Sequence, residues 1–139
     1  MKRFIITVDT EGDNLWAWKP GDIITTENAK YIDRFQNLCE QYRFVPVYLC
    51  NYEMIMDSSF CAYLARKASD NKCEIGMHLH AWNSPPIYEL ENVYGGQAYI
   101  TEFSRQQMLE KHIFLRDLIK EKTGFMPVSY RSGRWATND

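Results

Sequence analysis

The chain lacks the long apolar segment that would cross a bilayer. Its N-terminal run FIITV follows Met1, Lys2 and Arg3 and is interrupted at Asp9, which makes it too short for a signal-peptide core or a membrane span. A basic tract is also missing, because the net charge is −2 and acidic and basic residues are interspersed. We therefore expect no nucleic-acid partner, no membrane partner and a cytoplasmic location.

A CxxC pair is missing as well. The four cysteines are widely spaced, and each lies in a segment with the pattern of a strand or helix: Cys39, Cys50, Cys61 and Cys73. Because free cysteine is among the most buried residue types, we expect buried, reduced thiols. The alternatives are a disulfide and a metal-binding role.

The sequence has no internal repeat, low-complexity tract or linker, so residues 1–139 are expected to form a single domain. Four short runs have the length and the β-branched, aromatic composition of strands: RFIITVD, FVPVYLC, CEIGMHL and VSYRS. Three helical patterns lie between them. This fourfold alternation of strand and helix predicts an α/β fold with a parallel sheet or a partial (β/α) barrel.

Each helical pattern has a recognisable start. Thr26 is expected to cap the first helix, Asp57 or Ser58 to start the second, and Ser104 with Gln107 to form a capping box on the third. The residues expected on the buried faces are, in chain order, Ile32, Phe35, Cys39 and Tyr42; Phe60, Leu64 and Ala68; and Met108, His112, Leu115 and Ile119.

Polar side chains cluster at the ends of three predicted strands. Asp9 and Glu11 end the first, His78 and His80 the third, and Arg131 the fourth. The carboxyl ends of parallel strands meet at one rim, and residues two apart point to the same side of a strand. Two imidazoles with carboxylates suit Zn²⁺ or another divalent ion with an open position for water. The alternative is that these are surface polar residues at loop starts.

Three stretches resemble the motifs of the polysaccharide deacetylases of the NodB-homology type, carbohydrate esterase family 4. TVDTEGD is similar to the first motif, EIGMHLHAW to the second, which contains metal-binding histidine, and YRSGRW to the third. The three occur in the expected order and span essentially the whole chain. The resemblance implies a seven-stranded (β/α) barrel and a metal-dependent hydrolase that removes N-acetyl or similar acyl groups from a saccharide.

The resemblance also assigns roles. It implies that Asp9 is the general base and that Arg131 orients it. Glu11 would be the metal-binding acid, displaced by one position because Thr10 stands where the commonest pattern has Asp. His78 matches the first metal histidine.

The second metal ligand departs from the commonest pattern. His80 would take this role at a spacing of two, whereas Trp82 occupies the position of the second histidine at the common spacing of four. A spacing of two still places both imidazoles on one side of a strand.

Two long connections, residues 12–25 and 83–100, follow strand ends, and loops of this length are usually functional. Aromatic side chains in or beside them, and after the third motif, are Trp16, Trp18, Trp82, Tyr88, Tyr94, Tyr99 and Trp135. Since sugars are commonly held by aromatic faces, we expect Trp16, Trp82 and Trp135 to bind substrate; the alternative is loop packing.

Two other functions fit the same residues: a non-catalytic carbohydrate-binding module, and an amidohydrolase acting on a small cyclic amide or imide.

The match is expected to be incomplete. The family's general-acid histidine lies after the third motif, whereas this chain ends eight residues past Arg131, and His112 is expected to be a core histidine with satisfied hydrogen bonds. We therefore expect little turnover from this chain by itself, because loss of a proton donor costs about 10²–10⁴ in rate. Four strands cannot close a barrel, which needs about 200 residues or more. We therefore expect the N-terminal part of a larger domain with unpaired edge strands, so that either the chain is truncated or a homo-oligomer buries the open barrel edge.

Overall fold

The four predicted strands form one all-parallel sheet. A computed structural model describes residues 4–90 and 96–137. The strands are β1 (Thr7–Thr10), β2 (Val47–Cys50), β3 (Glu74–Leu79) and β4 (Tyr130–Ser132), and they lie in the order β1-β2-β3-β4. Every neighbouring pair is parallel, so all carboxyl ends meet at the same rim. The predicted α/β class with about four parallel strands is confirmed.

Four α-helices connect or cover the strands. They are α1 (Ile32–Gln41), α2 (Tyr52–Met56), α3 (Ser58–Ser69) and α4 (Arg105–Thr123), and short 3₁₀ turns span Leu15–Ala17, Glu27–Tyr31, Ile100–Glu102 and Gly133–Trp135. Helices α1, α3 and α4 correspond to the three predicted helices. Helix α2 was not predicted, because five residues are too few to show a helical repeat of apolar positions.

The predicted helix starts are correct for α3 and α4. The Asp57 carboxylate accepts hydrogen bonds from the backbone N–H groups two and three residues later, at 2.9 and 3.0 Å. Ser104 and Gln107 exchange side-chain and backbone hydrogen bonds in a full capping box. The predicted cap at Thr26 is wrong, since its hydroxyl donates instead to the Asp57 carboxylate, at 2.8 Å.

The buried faces of α3 and α4 follow the predicted stripes. Phe60, Leu64, Leu115 and Ile119 are buried in one core with β2 and β3. The prediction for α1 is wrong in part, because Phe35 and Tyr42 are exposed. Cys39, which belongs to the predicted stripe, is buried, and so is Gln36, whose side-chain oxygen accepts a hydrogen bond from the Tyr48 hydroxyl at 2.9 Å. This polar contact rotates the buried face of the helix away from Phe35 and Tyr42.

The cysteine prediction is confirmed. All four thiols are buried and free, and three of them, Cys50, Cys61 and Cys73, belong to the main apolar core. Burial raises the pKa of both Cys61 and Cys73 to about 11, so these thiols stay protonated and unreactive at neutral pH.

The sheet is strongly curled into a half-barrel. In a flat sheet, β1 and β4 would lie three strand spacings apart, about 14 Å. Nevertheless, the guanidinium group of Arg131 on β4 donates hydrogen bonds to the Asp9 carboxylate and the Thr7 hydroxyl on β1. Inward-facing side chains from both edges therefore meet across the concave face. The partial (β/α) barrel is confirmed at this level, and the seven-stranded NodB type stays a prediction.

Both edges of the half-barrel are open. Within the described ranges, β1 pairs only with β2 and β4 only with β3. Apolar residues beside these edges are exposed: Phe4 is 74% exposed, Ile5 73% and Val128 82%. This agrees with the expected unpaired edges, and the homo-oligomer stays a prediction.

The helices in the described part of the chain include none with the length and apolar character that crossing a bilayer requires.

Candidate metal centre

Glu11, His78 and His80 converge at the rim where the strands end. Glu11 directly follows β1, His78 lies in β3, and His80 follows β3. One ligand atom from each residue lies within 4.8 Å of the other two, and both histidines are buried. This group, the metal triad, contains three of the residues that the sequence predicted as metal ligands.

The spacing of the triad suits a small divalent cation. The His78 Nε2 to Glu11 Oε1 distance is 2.8 Å, the His80 Nε2 to Glu11 Oε1 distance is 3.2 Å, and the two Nε2 atoms are 2.9 Å apart. Ligands on a tetrahedral zinc ion lie about 3.3 Å from one another, because each bond is about 2.0–2.1 Å long. Two imidazole nitrogens with one carboxylate oxygen is a donor set of catalytic zinc sites. The residues present therefore fit the predicted ion.

The backbone fixes which nitrogen of His78 faces the triad. Its Nδ1–H donates to the Arg131 carbonyl oxygen at 2.9 Å, so in the neutral ring the lone pair is on Nε2. A hydrogen bond of this kind is typical of metal-binding histidines, because it orients the ring and selects the tautomer. Arg131 therefore contacts the rim twice, through its guanidinium, as predicted, and through its backbone carbonyl, which was not predicted.

His80 is held by packing. Its ring stacks on Trp82, with centroids 4.4 Å apart and planes 21° from parallel. A Cβ atom at Gly133 would overlap the His80 ring and the Leu79 carbonyl, so this close approach of β4 requires glycine. The His80 Nδ1 atom is buried and has no hydrogen-bond partner among the described residues. On the side of the ring that faces away from the triad, stacking on Trp82 rather than a hydrogen bond at Nδ1 orients this imidazole.

The three residues of the triad differ in the direction and cause of their pKa shifts. Burial alone would raise the pKa of Glu11, but hydrogen bonds and positive charge from His78 and His80 outweigh it and lower the pKa to about 2. Burial disfavours the imidazolium form of His78, yet contacts with Glu11 and the Arg131 carbonyl raise its pKa. Burial dominates at His80 and lowers its pKa. Glu11 is thus an anion and His80 a neutral imidazole at neutral pH, the forms in which both can bind a metal ion.

Asp9 and Arg131 form an ion pair beside the triad. Asp9 lies two residues before Glu11 and accepts a hydrogen bond from the Arg131 guanidinium. The exposed Trp135 ring lies 5.0 Å from the same guanidinium carbon. The predicted pairing of Asp9 with Arg131 is therefore present, and the role of Asp9 as a base stays a prediction.

The aromatic residues proposed for substrate binding differ in exposure. Trp16 is 78% exposed and Trp135 is 76% exposed, so both indole rings are accessible to a ligand. Trp82 is half-buried against His80, and its indole nitrogen is buried without a hydrogen-bond partner in the described ranges. Trp82 therefore supports the triad directly. Tyr94 lies outside the described residues.

Sequence reasoning missed Glu53, which belongs to the same rim. It lies in α2, directly after β2, the one strand end to which no chemistry was assigned. Its Oε1 accepts a hydrogen bond from the Asn83 side chain at 2.7 Å, while its Oε2 is buried without a partner among the described residues. Burial, with a smaller contribution from the charge of Glu11, raises the pKa of Glu53 to about 7. The signal available in the sequence was a lone acid three residues past a buried strand.

Replacement of Glu53 by glutamine is expected to stabilise the protein at neutral and alkaline pH. The folded-state pKa of about 7 lies above the usual glutamate value of 4.5, so the penalty for ionising the buried carboxyl group is absent below pH 4.5, grows between pH 4.5 and 7, and is complete above pH 7. Glutamine cannot ionise, and the gain in unfolding free energy at pH 8 should be about 2–3 kcal/mol, falling below about 1 kcal/mol at pH 5. Urea denaturation at both pH values, with a chelator present, measures it.

The control for this prediction is Glu121→Gln. Glu121 is an exposed glutamate on α4 that pairs with Lys122, so its replacement should give no pH-dependent gain in stability. An equal effect of Glu53→Gln at pH 5 and pH 8 would show that the carboxyl group does not titrate in this range.

Comparisons of the chain with models of known protein families, with curated proteins and with solved structures give no match. The resemblance of the three motifs therefore stays a prediction, and the geometry of the rim carries the functional argument.

Proposed function

We propose that the protein is a metal-dependent hydrolase that removes N-acetyl or similar acyl groups from a saccharide. The observation that carries the proposal is the convergence of Glu11, His78 and His80 from two strand ends, beside the Asp9–Arg131 pair. A metal triad flanked by a carboxylate that is not itself a ligand is the arrangement that hydrolysis by activated water requires.

The triad would hold Zn²⁺ or another divalent ion through Glu11 Oε1 and the two Nε2 atoms. When bound, such an ion lowers the pKa of water toward about 7 and polarises a carbonyl oxygen. Both effects favour attack on an amide at neutral pH. The buried histidines exclude bulk water from one side of the triad.

The neighbouring residues supply the proton transfer and the orientation. Asp9 would accept the proton of the attacking water, since it lies two residues before Glu11 and close enough to His78 and His80 for its charge to act on both. Arg131 would hold Asp9 in place from the opposite edge of the half-barrel, and Thr7 accepts a hydrogen bond from the other arm of the guanidinium.

The third histidine is excluded as proton donor to the leaving amine, because His112 lies on α4 and its Nδ1–H donates to the Met108 carbonyl at 2.6 Å. This bond also confirms the prediction of a satisfied histidine, although the ring is half-buried rather than in the core.

A second candidate is a non-catalytic carbohydrate-binding module. The exposed faces of Trp16 and Trp135 favour it, because sugars stack on accessible aromatic rings. Such a module would bind a saccharide without the metal.

The two candidates are separated by removing and restoring the metal. Acetate release from N-acetylglucosamine oligomers is measured before chelation, after chelation and after addition of Zn²⁺. We expect release to stop on chelation and to return with Zn²⁺. Saccharide binding that survives chelation, without any acetate release, would favour the binding module. Ring opening of succinimide, without deacetylation, would instead identify a cyclic imide as the substrate.

A further inference from the structure

Arg134 is linked to the triad through contacts between planar side chains. His80 stacks on Trp82, the guanidinium carbon of Arg134 lies 6.0 Å from the Trp82 ring centre, and it lies 3.8 Å from the Tyr99 ring centre. The guanidinium therefore packs closely over the Tyr99 ring and lies at the edge of cation–π distance from Trp82, whose ring stacks on a residue of the triad. No role was predicted for Arg134 from the sequence.

The guanidinium of Arg134 has donors to spare. It donates one hydrogen bond to the Gln97 carbonyl oxygen and one to the Tyr99 hydroxyl, each at 2.7 Å. An arginine side chain carries five N–H donors, so three have no partner among the residues that the structure describes. Within the described ranges no carboxylate forms an ion pair with it, whereas the charge of Arg131 is matched by Asp9.

The backbone at this position is unusual. Arg134 and Trp135 both have φ near 56°, in the left-handed region. Side chains with a Cβ atom avoid this region, and consecutive examples persist where the surrounding structure holds them, often at functional sites. The two side chains are thereby displayed next to each other at the rim, with Trp135 exposed and Arg134 half-buried.

We propose that Arg134 is a specificity-determining residue that selects ligands carrying an oxyanion, a phosphate or a carboxylate, near the acyl group. The inference deepens the proposed function, on which its saccharide part rests. A planar guanidinium that has unused donors and no carboxylate partner within residues 4–90 and 96–137 can recognise such groups through paired hydrogen bonds. A residue that served only to tether the loop around Gln97 would need no positive charge.

The test compares three sugars that differ at one position. The probes are N-acetylglucosamine, its 6-phosphate and its 6-carboxylate (uronic acid) form, with inorganic phosphate as a fourth. Dissociation constants are measured by ligand-observed NMR on the full chain treated with a chelator. We expect at least one charged sugar to bind about tenfold or more tightly than the neutral one, because hydrogen bonds to charged groups are worth this much. The phosphate and carboxylate probes decide which oxyanion is preferred.

The variants assign the preference to the guanidinium. Arg134→Gln should bring the charged and neutral sugars to the same affinity, and Arg134→Lys should keep part of the difference. Tyr99→Phe removes the hydroxyl acceptor but leaves the charge, so the preference should remain. Arg66→Gln is the matched control, because Arg66 also lies over a tyrosine ring but is on α3.

The possible outcomes are distinct. Equal affinity of the parent protein for all three sugars overturns the inference but leaves the proposed function standing. A preference that survives Arg134→Gln overturns the assignment to Arg134, and so does a loss of affinity that is equal for charged and neutral sugars. Binding of inorganic phosphate alone, lost in Arg134→Gln, supports the anion site and counts against a saccharide substrate. Failure of all four probes to bind overturns the inference.

Discussion

Replacement of His78 or His80 by alanine is expected to abolish stoichiometric binding of a divalent cation. Zinc binding in small sites is worth about 10–16 kcal/mol, so the loss of one of about four ligands should cost roughly 3 kcal/mol, a weakening on the order of 100-fold. The missing imidazole also leaves a cavity, so that the Glu11 side chain is held in place less firmly. Metal content after dialysis against a competing chelator measures the loss, with a stoichiometry near one in the parent protein and near zero in the variants.

The chain contains its own control for this experiment. His112→Ala removes the third histidine, which lies on α4 and is not part of the triad, and it should leave the metal content unchanged. Retention of full metal by both His78→Ala and His80→Ala would show that the ligand assignment is wrong. If only His78→Ala lost the metal, only the assignment of His80 as a ligand would be wrong. The spacing of His80 from His78 departs from the common pattern.

Asp9→Asn is expected to keep the metal and to lose turnover by about 10²–10⁴, the usual contribution of a positioned general base. Asparagine has nearly the same shape, and its side-chain oxygen still accepts a hydrogen bond from Arg131, so the rim should keep its geometry. Metal content and the rate of acetate release are measured on the same preparation. The two readouts separate a base from a ligand.

Thr7→Val is the matched control for Asp9→Asn. It removes the other hydrogen bond that β1 provides to the Arg131 guanidinium but leaves the carboxylate in place, so turnover should fall much less. If Asp9→Asn lost the metal, Asp9 would be a ligand rather than a base. If it kept both metal and turnover, the proton would be taken by another group.

The strand ends could be predicted because they depend on local pattern. Apolar runs of strand length, with polar residues at their ends, locate the rim whatever the details of packing. The spacing of two in Asp9 with Glu11 and in His78 with His80 places each pair on one side of a strand. The caps at Asp57 and Ser104 were also predictable, since each is satisfied within three residues along the chain.

The remaining features depend on contacts between distant parts of the chain. The buried face of α1 is set by the Tyr48 hydroxyl, which gives Gln36 a partner 12 positions away in the sequence. The Thr26 hydroxyl finds Asp57, 31 positions away, instead of its own helix. Glu53 and Arg134 join the rim through Asn83 and Tyr99 in the same way, and no local pattern indicates such pairings.

The position of β1 at the edge of the sheet has a consequence for how the rim is assembled. The two acidic residues with proposed roles, Asp9 and Glu11, lie in or next to this strand, which is hydrogen-bonded on one side only within the described residues. The imidazoles lie in or directly after the interior strand β3. Fraying of β1 would remove both carboxylates in one event and leave the imidazoles in place. Amide exchange along β1 would then report directly on how often the rim comes apart, and a ligand that joins Glu11 to the histidines would slow that exchange.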